Sequence, residues 1–213
     1  MRAFTYFILA KTWGDVPLRL TPLESYDPVT IQVPRTPKAE IFTQIKSDLD
    51  QALQLFPNNS YPTGRYKWSK NAAYALKGDV YLWTGKTLNG GNADITSALS
   101  ALTSIQSSDV QLLPNYADIF KYTNKGNKEI VMAIRYQLNE EAPEQVFPFN
   151  MYLSNLADLP SYVPQSQKDI IGIPKPGNGN VWRITQLVRD QFTDDDKRKS
   201  VTYIDVKGPN PNQ

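Results

Sequence analysis

The chemistry open to this chain is limited first by two side chains it lacks. With no cysteine and no histidine, it has no disulfide, no thiolate nucleophile and neither of the commonest metal-ligating groups, and the usual general base is missing as well. Carboxylates, lysines, tyrosines and hydroxyls remain. The densest carboxylate run is Asp194-Asp195-Asp196. A calcium loop would space its ligands as Asp-x-Asn-x-Asp-Gly with a distant Glu, and adjacent aspartates point in different directions. The run therefore reads as a solvated turn after a helix. Glu140, Glu141 and Glu144 lie in an aromatic-bearing segment, where a pair of acids is what glycosidic cleavage requires. Surface charge is the simpler reading of the three. Neither a metal nor a cofactor is expected, and no residue is assigned a catalytic role.

Aromatic rings flanked by amides are the stronger candidates. Trp182 follows Pro176-Gly177-Asn178-Gly179-Asn180 and precedes Arg183, so an indole sits beside a polar loop rich in hydrogen-bonding groups. Tyr152 and Tyr162 occupy the same irregular part of the chain, among Asn150, Asn155 and Gln165. Asn180, Arg183, Tyr152, Tyr162 and Trp182 are the candidate binding residues. The other tryptophans read as packing groups: Trp13 at a helix end beside a tight turn, Trp83 on the apolar stripe of a helix, and Trp68 against a helix start.

These residues need a scaffold, and the apolar periodicity supplies one. Phe4, Phe7 and Ile8, with the stem of Lys11, share one helical face that stops at Trp13-Gly14-Asp15-Val16-Pro17. No capping residue precedes that face, so the first residue is expected to fall inside a helix of a longer chain. Residues 18–34 show no lasting period and read as an extended connection. A second helix is predicted with Thr36 as cap, Pro37 at its first position and Ile41, Ile45, Leu49, Ala52, Leu53 and Phe56 on its buried face. Ser69 caps a third, with Ala72, Ala73, Leu76, Val80 and Trp83 buried and Ala75 and Gly78 allowing close approach. After a short turn at residues 88–92, Ile95, Ala98, Leu99, Leu102 and Ile105 form a fourth face, so helices three and four should pair as an antiparallel hairpin. Pro37 and Lys70 open helices about one tetratricopeptide period apart.

Beyond Ser108 the texture changes. Residues 112–120 read as short helical turns, residues 129–136 as a buried strand, residues 139–180 as irregular and proline-rich, and about 184–192 as a last helix. The expected fold is mainly α, with tetratricopeptide-like helical hairpins, long irregular loops and a minor β-strand. One domain is expected over 1–213, divided into a helical repeat scaffold (1–108) and a loop-rich ligand-binding part (109–213). Net charge is +2, with 23 basic residues scattered among 21 acidic ones, so no cationic stripe exists to follow a phosphate backbone and nucleic acid is not an expected partner. No run approaches the ~20 apolar residues that span a bilayer, and the start lacks the order of a signal peptide.

The order of segments resembles the SusD/RagB family of outer-membrane nutrient-binding lipoproteins of Bacteroidetes. The resemblance is carried by Arg2-Ala3 with Phe4 to Phe7, by Trp13-Gly14-Asp15-Val16-Pro17-Leu18, and by Arg35-Thr36-Pro37 leading into Ile41 to Leu53. It continues through Ala72-Ala73-Tyr74-Ala75-Leu76-Lys77-Gly78-Asp79-Val80-Tyr81-Leu82, Tyr116, Phe120, Asn127-Lys128-Glu129-Ile130-Val131, and Asp196 near Arg198. It implies a non-catalytic glycan-binding component of a polysaccharide uptake system. Such a protein would work with a TonB-dependent, SusC-like transporter at the cell surface, held to the outer membrane only by a lipid anchor whose cysteine is not in this chain. It also implies that this sequence is a central part of a longer protein. Aromatic faces stack on the C–H faces of sugars while amides, carboxylates and guanidinium groups bond hydroxyls, which suits the candidates above. Two other readings stay open: a tetratricopeptide-like groove for protein segments, and a glycoside hydrolase using carboxylates alone.

Overall fold

Helix formation begins where the sequence supplies a cap and an apolar stripe together. The computed structural model describes residues 1–24, 26–105, 109–135, 165 and 185–202. They fall into two compact units, Met1–Leu112 with Gly126–Ile134, and Leu113–Lys125 with the remainder from Arg135 onward. The described residues are mainly helical. No strand ladder forms among them, and the only β pairing is an isolated antiparallel bridge between Val16 and Thr36.

In the first unit, α1 (Arg2–Trp13), α3 (Lys38–Leu55), α4 (Lys70–Thr87) and α5 (Gly91–Thr103) pack each on the next, the nearest-neighbour arrangement of a helical repeat. The core is built from Ala3, Phe7 and Ala10 of α1, Ile41, Phe42, Ile45 and Leu49 of α3, Val80 of α4, and Val16. Phe7 meets Phe42 edge to face at 6.0 Å. At the solvent edge Arg2 donates to both Asp48 oxygens at 2.7 and 2.6 Å, tying α1 to α3. The α1 face is turned from expectation: of the predicted residues Phe7 is buried, Phe4 is half-buried and Ile8 is exposed, while Ala3 and Ala10 take the other buried positions.

Ser69 caps α4 as predicted, its hydroxyl accepting from the Ala72 amide at 3.1 Å. Gly78 does allow close approach, since a Cβ there would stand 2.6 Å from Leu102 Cδ2. The α4–α5 hairpin is also tied by Asp94, which accepts from Thr84 at 2.5 Å and from Lys46 of α3 at 2.8 Å. On α5 the buried residues are Ala98 and Ala101, whereas Leu99 is 66% exposed. The small side chains let α5 approach α4 and leave the leucine on the outer face.

Several expectations give way to tertiary contacts. Thr36 does not cap α3. Its amide is bound to the Val16 carbonyl at 3.0 Å, and the cap comes from Asp15, whose carboxylate accepts from the Lys38 amide at 2.8 Å. Trp13 is 61% exposed, because Val16 fills the interior of that corner. Trp83 is half-buried against the core, with the Lys11 ammonium 4.8 Å from its ring centroid. The extended connection holds a short helix, α2 (Pro28–Ile31), capped by Asp27, which accepts from Val29 N at 3.2 Å. The Asp-Pro pair was its sequence signal.

The predicted strand at residues 129–136 is not a strand over its described part, 129–135. Strand ladders need a neighbouring backbone, and here a side chain takes its place. The Arg65 guanidinium donates to the carbonyls of Ile130 and Asp109 at 2.6 Å each and to that of Lys128 at 3.4 Å. Ala133 N donates to the Arg65 carbonyl at 2.9 Å. Arg65 is buried, stacks 4.2 Å over the Tyr61 ring, and sits at φ 56 after Gly64 at φ 74. Close approach of Gly126 is part of the same junction, since a Cβ there would lie 2.8 Å from Gly64 backbone atoms.

In the second unit the described helices are short: α6 (Gln186–Arg189) and α7 (Lys199–Thr202). The helix expected over 184–192 is one turn, with Leu187 and Val188 exposed and Ile184 outside the described residues. An apolar stripe that finds no surface to bury against does not hold a longer helix.

Candidate functional site

None of the five residues singled out for binding, Tyr152, Tyr162, Asn180, Trp182 and Arg183, lies among the described residues. Glu140, Glu141 and Glu144 lie outside them too. What the structure does present is a second aromatic segment, residues 115–125 of the second unit. Two successive 3-10 turns, Tyr116–Phe120 and Tyr122–Asn124, are separated by Lys121 in an extended conformation at φ −64, ψ 130. Asn124 fastens one turn to the other, its side-chain amide donating to the Asp118 carbonyl at 2.9 Å.

Asp118 organises the same loop through its side chain. Its carboxylate receives Lys121 at 2.5 Å and the Asn115 amide at 3.3 Å. The Lys121 bond first, and then that from Asn115, hold this carboxyl below the ordinary aspartate range. On this frame Tyr116 and Phe120 meet edge to face at 5.2 Å. Phe120 is 64% exposed and Tyr122 is 81% exposed, and Lys125 places its ammonium 3.6 Å from the Tyr122 ring centroid. The result is exposed rings beside amide, carboxylate and ammonium groups on a backbone held by its own hydrogen bonds. Such a surface can stack an apolar ring face and bond the polar groups at its rim.

The turn at Asp194–Asp196 behaves as the solvated turn expected of it. Asp196 accepts from Arg198 at 2.6 Å and Asp194 from Lys199 at 2.7 Å. The Arg198 bonds draw the Asp196 carboxyl down to about 2. Among the described residues no cluster of acidic groups is arranged to hold a metal ion.

The first unit offers an open cleft of about 290 Å³ among α1, α3 and α4, with Trp68, Phe56 and Leu76 on its walls and Arg2, Asp48 and Gln51 at its rim. Trp68 is steadied edge-on by Phe4 at 5.5 Å. The Arg2 and Asp48 side chains bond one another, and Gln44 adds a bond to Asp48 at 2.7 Å, so the rim presents few groups directed toward a ligand. The loop at 115–125 is the better-equipped surface. Sequence reading used Tyr116 and Phe120 only as marks of likeness. Tyr122 followed three residues later by Lys125 in a non-periodic, Pro- and Asn-bearing stretch was the signal available and unused.

Comparison with known proteins agrees with this architecture. A SusD-like family described as "Starch-binding associating with outer membrane" matches residues 1–82. A SusD superfamily protein from Bacteroides fragilis superposes on 99% of this chain and 43% of its own, with a TM-score of 0.78 and 31% identity. In sequence over residues 1–82, and in fold over nearly its whole length, the chain is SusD-like. A SusD-like protein of Bacteroides ovatus is 30% identical over 141 residues, 64% of this chain and 25% of the relative. A laminarin-binding SusD-like protein is 30% identical, with a TM-score of 0.52, over 62% of this chain and 28% of its own. This SusD-like chain thus spans less than half the length of the relatives it matches. No helix among its described residues is long and apolar enough to cross a membrane.

Proposed function

We propose that this SusD-like chain is part of a non-catalytic glycan-binding component of an outer-membrane polysaccharide uptake system, working with a TonB-dependent transporter. The observation that carries the reading is the pair of exposed rings, Phe120 and Tyr122, set on a hydrogen-bonded double turn beside Asn115, Asp118 and Lys125. Large aromatic rings left in water favour a ligand that covers them, and a pyranose covers a ring while its hydroxyls take up neighbouring amides and carboxylates. Kinship supports the same reading: the family description names starch binding, and one structural relative binds laminarin. Tyr152, Tyr162, Asn180, Trp182 and Arg183 are proposed as further glycan contacts on the strength of their sequence setting. Attachment would be to the outer-membrane surface, through a lipid anchor.

Affinity electrophoresis of the purified protein through gels containing laminarin, starch, xylan or pectin tests the proposal. Retardation by at least one polysaccharide, without release of reducing sugar, is expected. Unchanged mobility in every gel would overturn glycan binding, and sugar release would favour the hydrolase. Co-purification of a TonB-dependent transporter from detergent-solubilised outer membranes tests the partnership. The protein-docking alternative draws support from the outer face of α5, where Leu99 is exposed and Thr96, Thr103 and Ser104 turn their hydroxyls back to the carbonyls four residues earlier. Such a face is uncharged and nearly apolar.

A further inference from the structure

We infer that the glycan taken by the Phe120–Tyr122 surface is acidic, carrying carboxylate-bearing sugars such as uronates; the inference rests on the glycan-binding reading above. Within residues 113–125 the charged side chains are Asp118, Lys121 and Lys125. Lys121 is neutralised by Asp118 at 2.5 Å, whereas Lys125 has no carboxylate partner among the described residues. Its ammonium rests instead on the Tyr122 ring, 3.6 Å from the centroid. One positive charge is therefore left over, and it stands at the most exposed ring of the segment. The neighbouring acidic turn does not cancel it, because Asp194, Asp195 and Asp196 are matched in number by Lys197, Arg198 and Lys199, with Asp194 and Asp196 paired directly to Lys199 and Arg198.

The same contact shows how a carboxylate would be received. An ammonium over an exposed ring is held weakly, and Lys125 carries it on a flexible four-carbon stem. A sugar stacked on the open side of Tyr122 or against Phe120 brings its carboxylate to the ring edge. There the ammonium exchanges a π-face for an anion, and the charge-assisted bond is the stronger of the two. A neutral sugar would gain the stacking and leave the cation where it is. The ring thus supplies affinity for sugars in general and Lys125 selects for the anion. At a solvated site one such bond gives a preference of about threefold, and a polymer that repeats the anion multiplies it by engaging successive residues.

Polygalacturonate and its methyl ester differ in the carboxylate alone, so the affinity ratio between them reads the inference directly. Laminarin and a sulfated galactan complete the set of gels. The purified protein is expected to be retarded severalfold more by polygalacturonate than by the ester. Lys125→Gln should bring the two together, Tyr122→Ala should weaken both, and Lys86→Gln, at an exposed position of α4 in the first unit, should leave the ratio as it was. Far-UV circular dichroism and thermal midpoints matching the parent show that these exposed variants fold. Equal retardation by acid and ester, a ratio unmoved by Lys125→Gln, or preference for laminarin would overturn the acidic-ligand inference while leaving glycan binding intact. Selection of the sulfated galactan over polygalacturonate would overturn the carboxylate assignment. Retardation by none of the four would instead sink the glycan-binding reading itself.

Discussion

Replacing Arg65 with Met should loosen the first unit by removing the cation that anchors its returning loop. In the folded chain the guanidinium makes two 2.6 Å bonds, to the carbonyls of Ile130 and Asp109, and a longer one of 3.4 Å to Lys128. Bonds from a charged donor contribute about 1.5–3 kcal/mol each, so the two short ones amount to roughly 3–6 kcal/mol. Against this stands the burial of a cation whose nearest carboxylate oxygen, on Asp109, is 3.9 Å away, an unfavourable contribution of about 1–3 kcal/mol that Met removes. Met also keeps an apolar stem against Tyr61. Taken at the middle of each range the net expectation is a loss of about 2.5 kcal/mol, which lowers a urea midpoint by about 1 M at a slope near ~2 kcal/mol/M.

Lys at this position should not rescue the loss, because a point charge with three donors cannot span carbonyls that a planar fork reaches together. Hydrogen exchange gives the local readout. The Gln111 amide, bonded to the Lys128 carbonyl at 3.1 Å, and the Ala133 amide, bonded to the Arg65 carbonyl at 2.9 Å, should lose protection well before the amides of α3. A midpoint within 0.2 M (about 0.4 kcal/mol) of the parent, or unchanged protection at both amides, would refute the claim that this side chain holds the loop.

Asp15→Ala should destabilise by about 1 kcal/mol through loss of the α3 cap, with Asp15→Asn retaining most of it, measured by thermal melting. Gly78→Ala should cost about 1–2 kcal/mol despite alanine's better helix propensity, because its Cβ would lie 2.6 Å from Leu102; adding Leu102→Ala should recover much of that in the same melts. The Asp48 carboxyl is held down mainly by the bond from Arg2. A folded value below the unfolded one, about 3.9, means its stabilisation is fully present above pH 4 and is lost as pH falls through the folded value. Urea midpoints of the parent and Asp48→Asn should therefore differ at pH 7 and converge toward pH 2, and a constant gap would contradict the assignment.

Local repetition made much of the scaffold legible. The i, i+3, i+4 apolar spacing of Ile41, Ile45, Leu49 and Leu53 required a helix with one buried side, and Ser69 announced the start of α4 by a bond spanning three residues. Gly78 could be read as a point of close approach because a helix surface without a side chain has little other use. Each of these depends on residues within a turn or two of one another, which is the range over which sequence and geometry are locked together. The asymmetric rule that sequence obeys here is that a stripe shows which side of a helix must be covered and leaves open what covers it.

Long-range partners were decided by the fold. Asp15 caps α3 from 23 residues away, a pairing no local pattern encodes, so Thr36 looked like the cap. Nothing local marks Arg65 as an anchor for two loops, and residues 129–136 read as a strand, whereas in the fold its guanidinium takes the carbonyls of Asp109 and Ile130. Trp13 and Val16 compete for one corner, and only packing settles which of them is inside. Phe120 and Tyr122 are apolar enough for a core. They are exposed, carried on two short turns that Asn124 ties together. Chain order alone therefore determined the long helices and most of the inner faces of α3 and α4, while burial and exposure of the chemically useful groups depended on which distant surfaces meet, a property of the folded whole.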